Sequence, residues 1–168
     1  MLVAGGVLGY AQRATERASE EAKQRQQAAA YASVLPEATS FHRLTVAGRE
    51  VFAGVAAAGQ VVGLVFTAEG EGFEGPLRLL VSLDPDSGRL LSVQVVSQTE
   101  TPGIGDQVTE EGFLKQFRGK PVHEAFEVGA DVQGISGATV SSRAVAAGLK
   151  EAAQAVLAGY RGEEGGER

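Results

Sequence analysis

The sequence predicts an α+β domain, mainly an antiparallel sheet built from hairpins with packed helices, preceded by an N-terminal stalk helix. Three observations predict it. Between Thr45 and Gln98 the chain is made of β-branched and aromatic runs punctuated by glycine, a composition that suits a pleated, half-buried surface. Those runs fall into pairs joined by short segments rich in Gly, Pro and Asp, as hairpins require. Helix formers dominate the stretches on either side.

Taken in order, Met1–Tyr10 is uncharged and is followed at once by Arg13, Glu16, Arg17, Glu20 and Glu21. Spanning a bilayer takes about 20 apolar residues, and a cleavable signal begins with a basic region. The run is therefore read as the end of a truncated membrane helix, or else as a short apolar tail that packs on a partner. From Ala11 to Ser33 the residues are mostly Ala, Glu, Gln, Arg and Lys, with a weak alanine stripe at 11, 14, 18, 22 and 29, which reads as a solvated stalk helix. Leu35-Pro36 stops it, because proline lacks an amide and disfavours helix at the residue before it. Glu50–Ala56 and Val61–Thr67, joined across Ala58-Gly59-Gln60, form the first hairpin. Leu77–Leu83 and Arg89–Ser97, joined by Asp84-Pro-Asp-Ser-Gly88, form the second, for four strands in all. After a loop from Thr99 to Asp106, the spacing of Val108, Phe113, Leu114 and Phe117 predicts a short helix ended by Gly119-Lys-Pro121. Val145, Leu149, Ala152 and Val156 share a face of a second helix over 140–157. The organisation expected is a membrane-anchor end and stalk over 1–36, the main domain over 37–160 and a disordered tail over 161–168.

A chain of 168 residues with 43% apolar residues fits one core of about 100–150 residues plus an appendage. Its net charge of −6 removes the basis for nucleic-acid binding, which rests on cations neutralising phosphates. Without cysteine there is no disulfide, thiolate metal site or thiol nucleophile. His42 and His123 are far apart, so they are read as surface or core residues and no metal site is expected.

Two motifs carry chemistry. In Gly134-Ile-Ser136-Gly137-Ala138-Thr139-Val-Ser141-Ser142-Arg143, a turn of small residues delivers a threonine hydroxyl to the start of the last helix. Helix N-termini have unpaired amides and partial positive charge, so a phosphate on Thr139 meets donors already in place. Arg143, one turn on, could add a charge-assisted contact, and Gly137 with Ala138 leaves the backbone open to a bulky group. Taken alone, Ser136, Thr139 or Ser141 also reads as an N-cap. The second motif, Glu100-Thr101-Pro102-Gly103-Ile104-Gly105-Asp106, reads alone as a Pro/Gly loop ahead of a helix.

Together, in this order, Glu100-Thr-Pro-Gly-Ile-Gly105 and Ser136-Gly-Ala-Thr139-Val-Ser-Ser-Arg resemble the two signatures of the FMN-binding domain family. That family includes the G subunit of Rnf-type complexes and the C subunit of sodium-pumping NADH:quinone reductase. Gly112-Phe-Leu-Lys-Gln-Phe-Arg-Gly119 agrees with it, and the resemblance covers about Ala11 to Tyr160. It implies FMN joined covalently to Thr139 through a phosphoester by a magnesium-dependent flavin transferase. Ser136, Gly137, Ala138, Ser141, Ser142 and Arg143 would surround the linkage, while Glu100, Thr101, Pro102, Gly103, Ile104 and Gly105 would lie against the ring. Family members often carry an acidic residue three positions before the serine, where this chain has Gln133, with Asp131 two residues earlier. The implied role is electron relay among the subunits of a membrane complex, a translocase that couples ferredoxin and NAD to ion movement. No catalytic residue of its own is implied. The domain would lie on the extracytoplasmic side of the cytoplasmic membrane, held by a single N-terminal helix. Competing readings are a flavinylated carrier of another extracytoplasmic chain and an unflavinylated structural or binding module of the same fold. The weakest is a hydrolase pairing His42 or His123 with Ser141 or Ser142, since no nucleophile-elbow pattern is present.

Overall fold

The computed structural model describes residues 25–165. The expectations for Met1–Tyr10, for the first part of the stalk and for the last three residues lie outside them. Among the described residues no helix is long and apolar enough to cross a membrane.

Helix α1, the end of the expected stalk, spans 25–34 and stops at Leu35, ahead of Pro36. Five strands follow: β1 (Ser40–Val46), β2 (Arg49–Val55), β3 (Val61–Glu71), β4 (Pro76–Asp84) and β5 (Arg89–Ser97). They form one antiparallel sheet in the order β1-β2-β3-β4-β5. Both expected hairpins are present, in the registers Val51↔Phe66 and Leu83↔Leu90. The count of four strands is corrected to five. β1 is an edge strand of mostly exposed residues, Ser-Phe-His-Arg-Leu-Thr-Val, so it lacks the apolar alternation that marks a strand. Its turn to β2, Ala47-Gly48, has positive φ at both residues, as two-residue hairpins prefer, but alanine replaces the usual Asn or Asp signal.

The expected helix over 108–117 is three short pieces: a 3-10 turn (Gly105–Thr109), helix α2 (Glu111–Leu114) and a second 3-10 turn (Lys115–Phe117). Glu110, extended at ψ 142°, interrupts the helix. The expected apolar face nevertheless forms, because Val108, Phe113, Leu114 and Phe117 are all buried. The last helix, α3, runs from Thr139 to Gly165 and so passes well beyond 157. Near its end the Arg161 guanidinium donates to the carbonyls of Pro85 and Asp86 in the β4–β5 turn, which anchors residues that composition alone marks as a tail.

One face of the sheet buries Val51, Leu64, Phe66, Leu79, Val81 and Leu90 against α3 residues Val145, Leu149, Ala152 and Val156. The other face packs Val65 and Leu80 against Tyr31, Val34 and Leu35. The end of α1 is thus docked rather than solvated, and Ser82 Oγ donates to the Val34 carbonyl at 2.6 Å beneath it. Coverage on both faces explains the unbroken apolar runs of β3 and β4. Helix α3 lies on β3 at backbone distance. A Cβ on Gly148 would sit 2.3 Å from the Glu69 carbonyl oxygen, and one on Gly70 would sit 2.2 Å from that of Ala144. Only glycine permits this approach, and it brings the first turn of α3 to the tip of the β3–β4 hairpin.

Candidate functional site

The small-residue motif folds as a tight turn. Ala138 N–H donates to the Ile135 carbonyl at 3.0 Å, and Gly137 takes φ +84°, the left-handed conformation that glycine adopts without strain. Helix α3 starts immediately after it, with Ser142 N–H donating to the Ala138 carbonyl. The position that precedes the helix is held by Ala138. Neither Ser136 nor Thr139 nor Ser141 occupies it, and alanine offers no side-chain acceptor to the first amides of the helix.

The serines divide sharply in role. Ser142 is fully buried; its hydroxyl accepts from Ile135 N–H at 3.1 Å and donates to the Ala138 carbonyl at 2.8 Å, stapling the turn to the helix. Ser136 is exposed at the turn. Ser141 is buried and donates to Glu100 Oε2, which lies 41 residues away in the chain. That bond joins the two motifs. Glu100, only 4% exposed, also accepts from Glu74 N–H through Oε1 at 3.2 Å, and its own amide donates to Gln98 Oε1. Its carboxylate therefore ties together the β3–β4 hairpin tip, the loop after β5 and the first turn of α3. Packing around it is tight: a Cβ on Gly72 would stand 2.1 Å from Oε1 and one on Gly105 2.5 Å from Oε2.

The loop itself is internally braced. The Thr101 carbonyl accepts from the amides of Ile104 and Gly105, Gly103 N–H donates to Asp106 Oδ1 at 2.8 Å, and Gln107 Nε2 donates to the Gly103 carbonyl. Thr101 Oγ1 donates to Glu74 Oε1.

Between these segments lies an open hollow of about 300 Å³, lined by Glu100, Thr101, Ile104 and Gly105 from one motif and by Gly137, Ala138, Thr139, Val140 and Ser141 from the other. Thr139 is exposed within it. Ser136, Ser142, Arg143, Pro102 and Gly103 are not among the lining residues; Arg143 is exposed one turn along α3 from Thr139. Sequence reasoning missed Phe73, which lines the hollow from the hairpin tip and is 74% exposed. A large aromatic between Gly72 and Glu74, at the end of a strand run, was the available signal. Gln133 is held through its backbone, its amide donating to Gln116 Oε1 and its carbonyl accepting from Gln116 Nε2.

Behind the turn, the loop over 120–132 is fastened by an ion cluster centred on a buried lysine. Lys120, 8% exposed, contacts Glu124 at 2.6 Å and Asp131 at 2.9 Å, and Asp131 accepts from the amides of Phe126 and Glu127. The Lys120 ammonium bonded to Asp131 holds that carboxyl well below the usual carboxylate range, against a smaller opposing effect of burial and with help from the two amides. Burial pushes the Lys120 ammonium down, but its bonds to Glu124 and Asp131 outweigh this and raise it. Among the described residues no group of three or more His, Asp or Glu is placed to hold a metal ion.

Sheet, terminal helix and hollow define a class of protein, a domain that presents a hydroxyl from the first turn of its last helix beside a braced Pro/Gly loop. The FMN-binding domain family model matches residues 72–154, which hold both motifs. The G subunit of an ion-translocating oxidoreductase complex from Methanosarcina acetivorans is 33% identical over 93% of this chain and 88% of its own length. The G subunit of the proton-translocating ferredoxin:NAD(+) oxidoreductase complex from Clostridium ljungdahlii is 36% identical over 58% of this chain and 55% of its own length. The crystal structure of Shewanella oneidensis NqrC has the same fold, with a TM-score of 0.56 at 24% identity over 73% of this chain and 69% of that one. The chain belongs to the FMN-binding domain family, among the G subunits of ion-translocating oxidoreductase complexes.

Proposed function

We propose that this chain is a covalently flavinylated electron carrier, with FMN esterified to Thr139, that serves a membrane ion-translocating oxidoreductase of Rnf type. One observation carries the reading: Ser141 and Glu100 bond to each other across 41 residues, closing both motifs on one hollow in which Thr139 is exposed. The residues present fit the group. Thr139 opens a long helix whose first amides have no capping side chain at Ala138, so a phosphate there gains donors and a favourable dipole. A Cβ on Gly137 would meet nothing within 4 Å, so the hydroxyl is approachable by a modifying enzyme.

Attachment would form a bond from the Thr139 hydroxyl oxygen to the FMN phosphorus of FAD. The pyrophosphate bond breaks, AMP leaves and the hydroxyl proton is released. When bound, FMN supplies one- and two-electron redox chemistry. The protein's share is to fix the phosphate at the helix start and to hold the hollow open through the Glu100 tether, with the loop over 100–105 beside the ring. On this reading Ser136, Gly137, Ala138 and Arg143 surround the linkage. Ser142 acts indirectly, by stapling the turn. Partners would be the other subunits of the complex, together with the flavin transferase during maturation. Residues 1–36 would tether the domain over 37–160 to the extracytoplasmic face of the cytoplasmic membrane.

The test is the intact mass of the full chain produced with the flavin transferase, beside Thr139→Ala produced in the same way. A flavin-sized increment is expected in the first and none in the second. An increment in both, or in neither, overturns the assignment.

A further inference from the structure

We propose that Phe73 is the aromatic wall of this site, packing its ring on the isoalloxazine of the flavin carried by Thr139; the inference rests on the flavinylation reading above. Among the described residues Phe73 is the most exposed of the large hydrophobic side chains, at 74%, and it stands at the hairpin tip between β3 and β4. Isolated exposed apolar residues are ordinary, whereas several gathered at one place mark a binding surface. Here they are gathered: Ile104 at 52% and Val140 at 48% line the same hollow, one from the Pro/Gly loop and one from the first turn of α3. Three elements thus each contribute an exposed apolar side chain around one exposed hydroxyl.

The tip that carries Phe73 is fixed. Gly72 N–H donates to the Gly75 carbonyl at 2.9 Å, closing the turn. Glu74, the next residue, is bonded through its amide to Glu100 and through its carboxylate to Thr101. A Cβ on Gly75 would stand 2.5 Å from Thr99 Oγ1, so the turn lies directly on the loop. Phe73 is consequently presented over the hollow by a braced backbone, and its exposure is a property of the folded domain. A flat heteroaromatic ring tethered through its ribityl phosphate at Thr139 is an occupant of matching chemistry, because aromatic faces pack in offset or edge-to-face geometry and bury area on both partners. A hollow of about 300 Å³ is at the small end for ligand pockets, in keeping with a ring held on one side and open on the other.

The experiment uses full-chain protein produced with the flavin transferase, comparing the parent with Phe73→Trp, Phe73→Ala and, as a control, Leu91→Trp. Leu91 is also exposed and does not line the hollow. Intact mass is read first for each. An indole in contact with an excited flavin quenches it, so Phe73→Trp is expected to lose flavin fluorescence several-fold while Leu91→Trp stays as bright as the parent. In Phe73→Ala, iodide quenching of the flavin should rise and the anisotropy of its emission should fall. Flavin-bearing Phe73→Trp as bright as the parent, or Phe73→Ala with unchanged quenching and anisotropy, overturns the ring contact while leaving the attachment intact. A parent protein without the flavin increment overturns both.

Discussion

Among single side chains, Glu100 is the one on which the site's geometry turns. Its carboxylate takes hydrogen bonds from Ser141 Oγ and Glu74 N–H while 4% exposed, so Glu100→Gln replaces one acceptor oxygen with a donor that faces another donor. Leaving a buried polar group unsatisfied costs about 1–3 kcal/mol, and a loss of that size is expected in urea unfolding of the unmodified protein. Asp131 provides a pH signature. Its carboxyl is depressed below its ordinary value of 3.8 in the folded protein by its bond to Lys120, so it contributes stability that is fully present above that value and is lost as pH falls through the folded one. Asp131→Asn should therefore be less stable than the parent at neutral pH, with a gap that narrows once the pH drops below about 3.8; a gap constant with pH would contradict the assignment. Both acidic residues are visible in the sequence, but neither role is. Glu100 is expected there as a cofactor contact, and the structure adds to that expectation a three-way tether whose partners come from segments remote in the chain. For Phe73 the signal was weak, an aromatic beside a glycine at the end of a strand run, and its exposure over the hollow emerges only when the hairpin is closed.

The secondary-structure elements were legible wherever local chemistry and tertiary demand agree. The β2–β3 and β4–β5 hairpins announce themselves through Gly59 and through Pro85, Asp86 and Gly88. Strand β1 does not, since an edge strand needs little apolar surface and its turn lacks the usual residues. The helix expected over 108–117 has the right buried face but the wrong continuity, broken where Glu110 turns extended. Nor does the sequence disclose why α3 and β3 lie so close. Gly148 and Gly70 are set in a helix and a strand, where glycine weakens both, and only the packed structure shows the carbonyls that exclude a side chain. Gly148→Ala is accordingly expected to destabilise by about 1–3 kcal/mol, the cost of overpacking, despite alanine's better helix propensity. Thermal unfolding by circular dichroism checks the sign; a rise in Tm would refute the contact.

For the molecule as a whole, the fold class read from the sequence matches the architecture, while the docking of α1 was hidden. A stretch rich in Ala, Gln and Arg looks solvated because just its last turn, Tyr31 to Leu35, carries the apolar side chains that cover the second face of the sheet. Leu35 is 2% exposed, and Leu35→Ala should cost about 2–5 kcal/mol, as for other buried leucines, measured by urea unfolding. Flavin loading of the variant at low temperature should equal that of the parent, because Leu35 and the hollow are on separate parts of the domain; a selective loss of loading would show that the two communicate. The strand order also bears on how such a protein is made. Among the described residues every strand pairs with its neighbour in the chain, so the sheet can assemble progressively during synthesis, whereas Thr139 follows all five strands and acquires its setting only when α3 settles onto β3. On the proposed reading, an enzyme that recognises that setting would mark finished molecules and pass over nascent ones, making the yellow colour a certificate of completed folding.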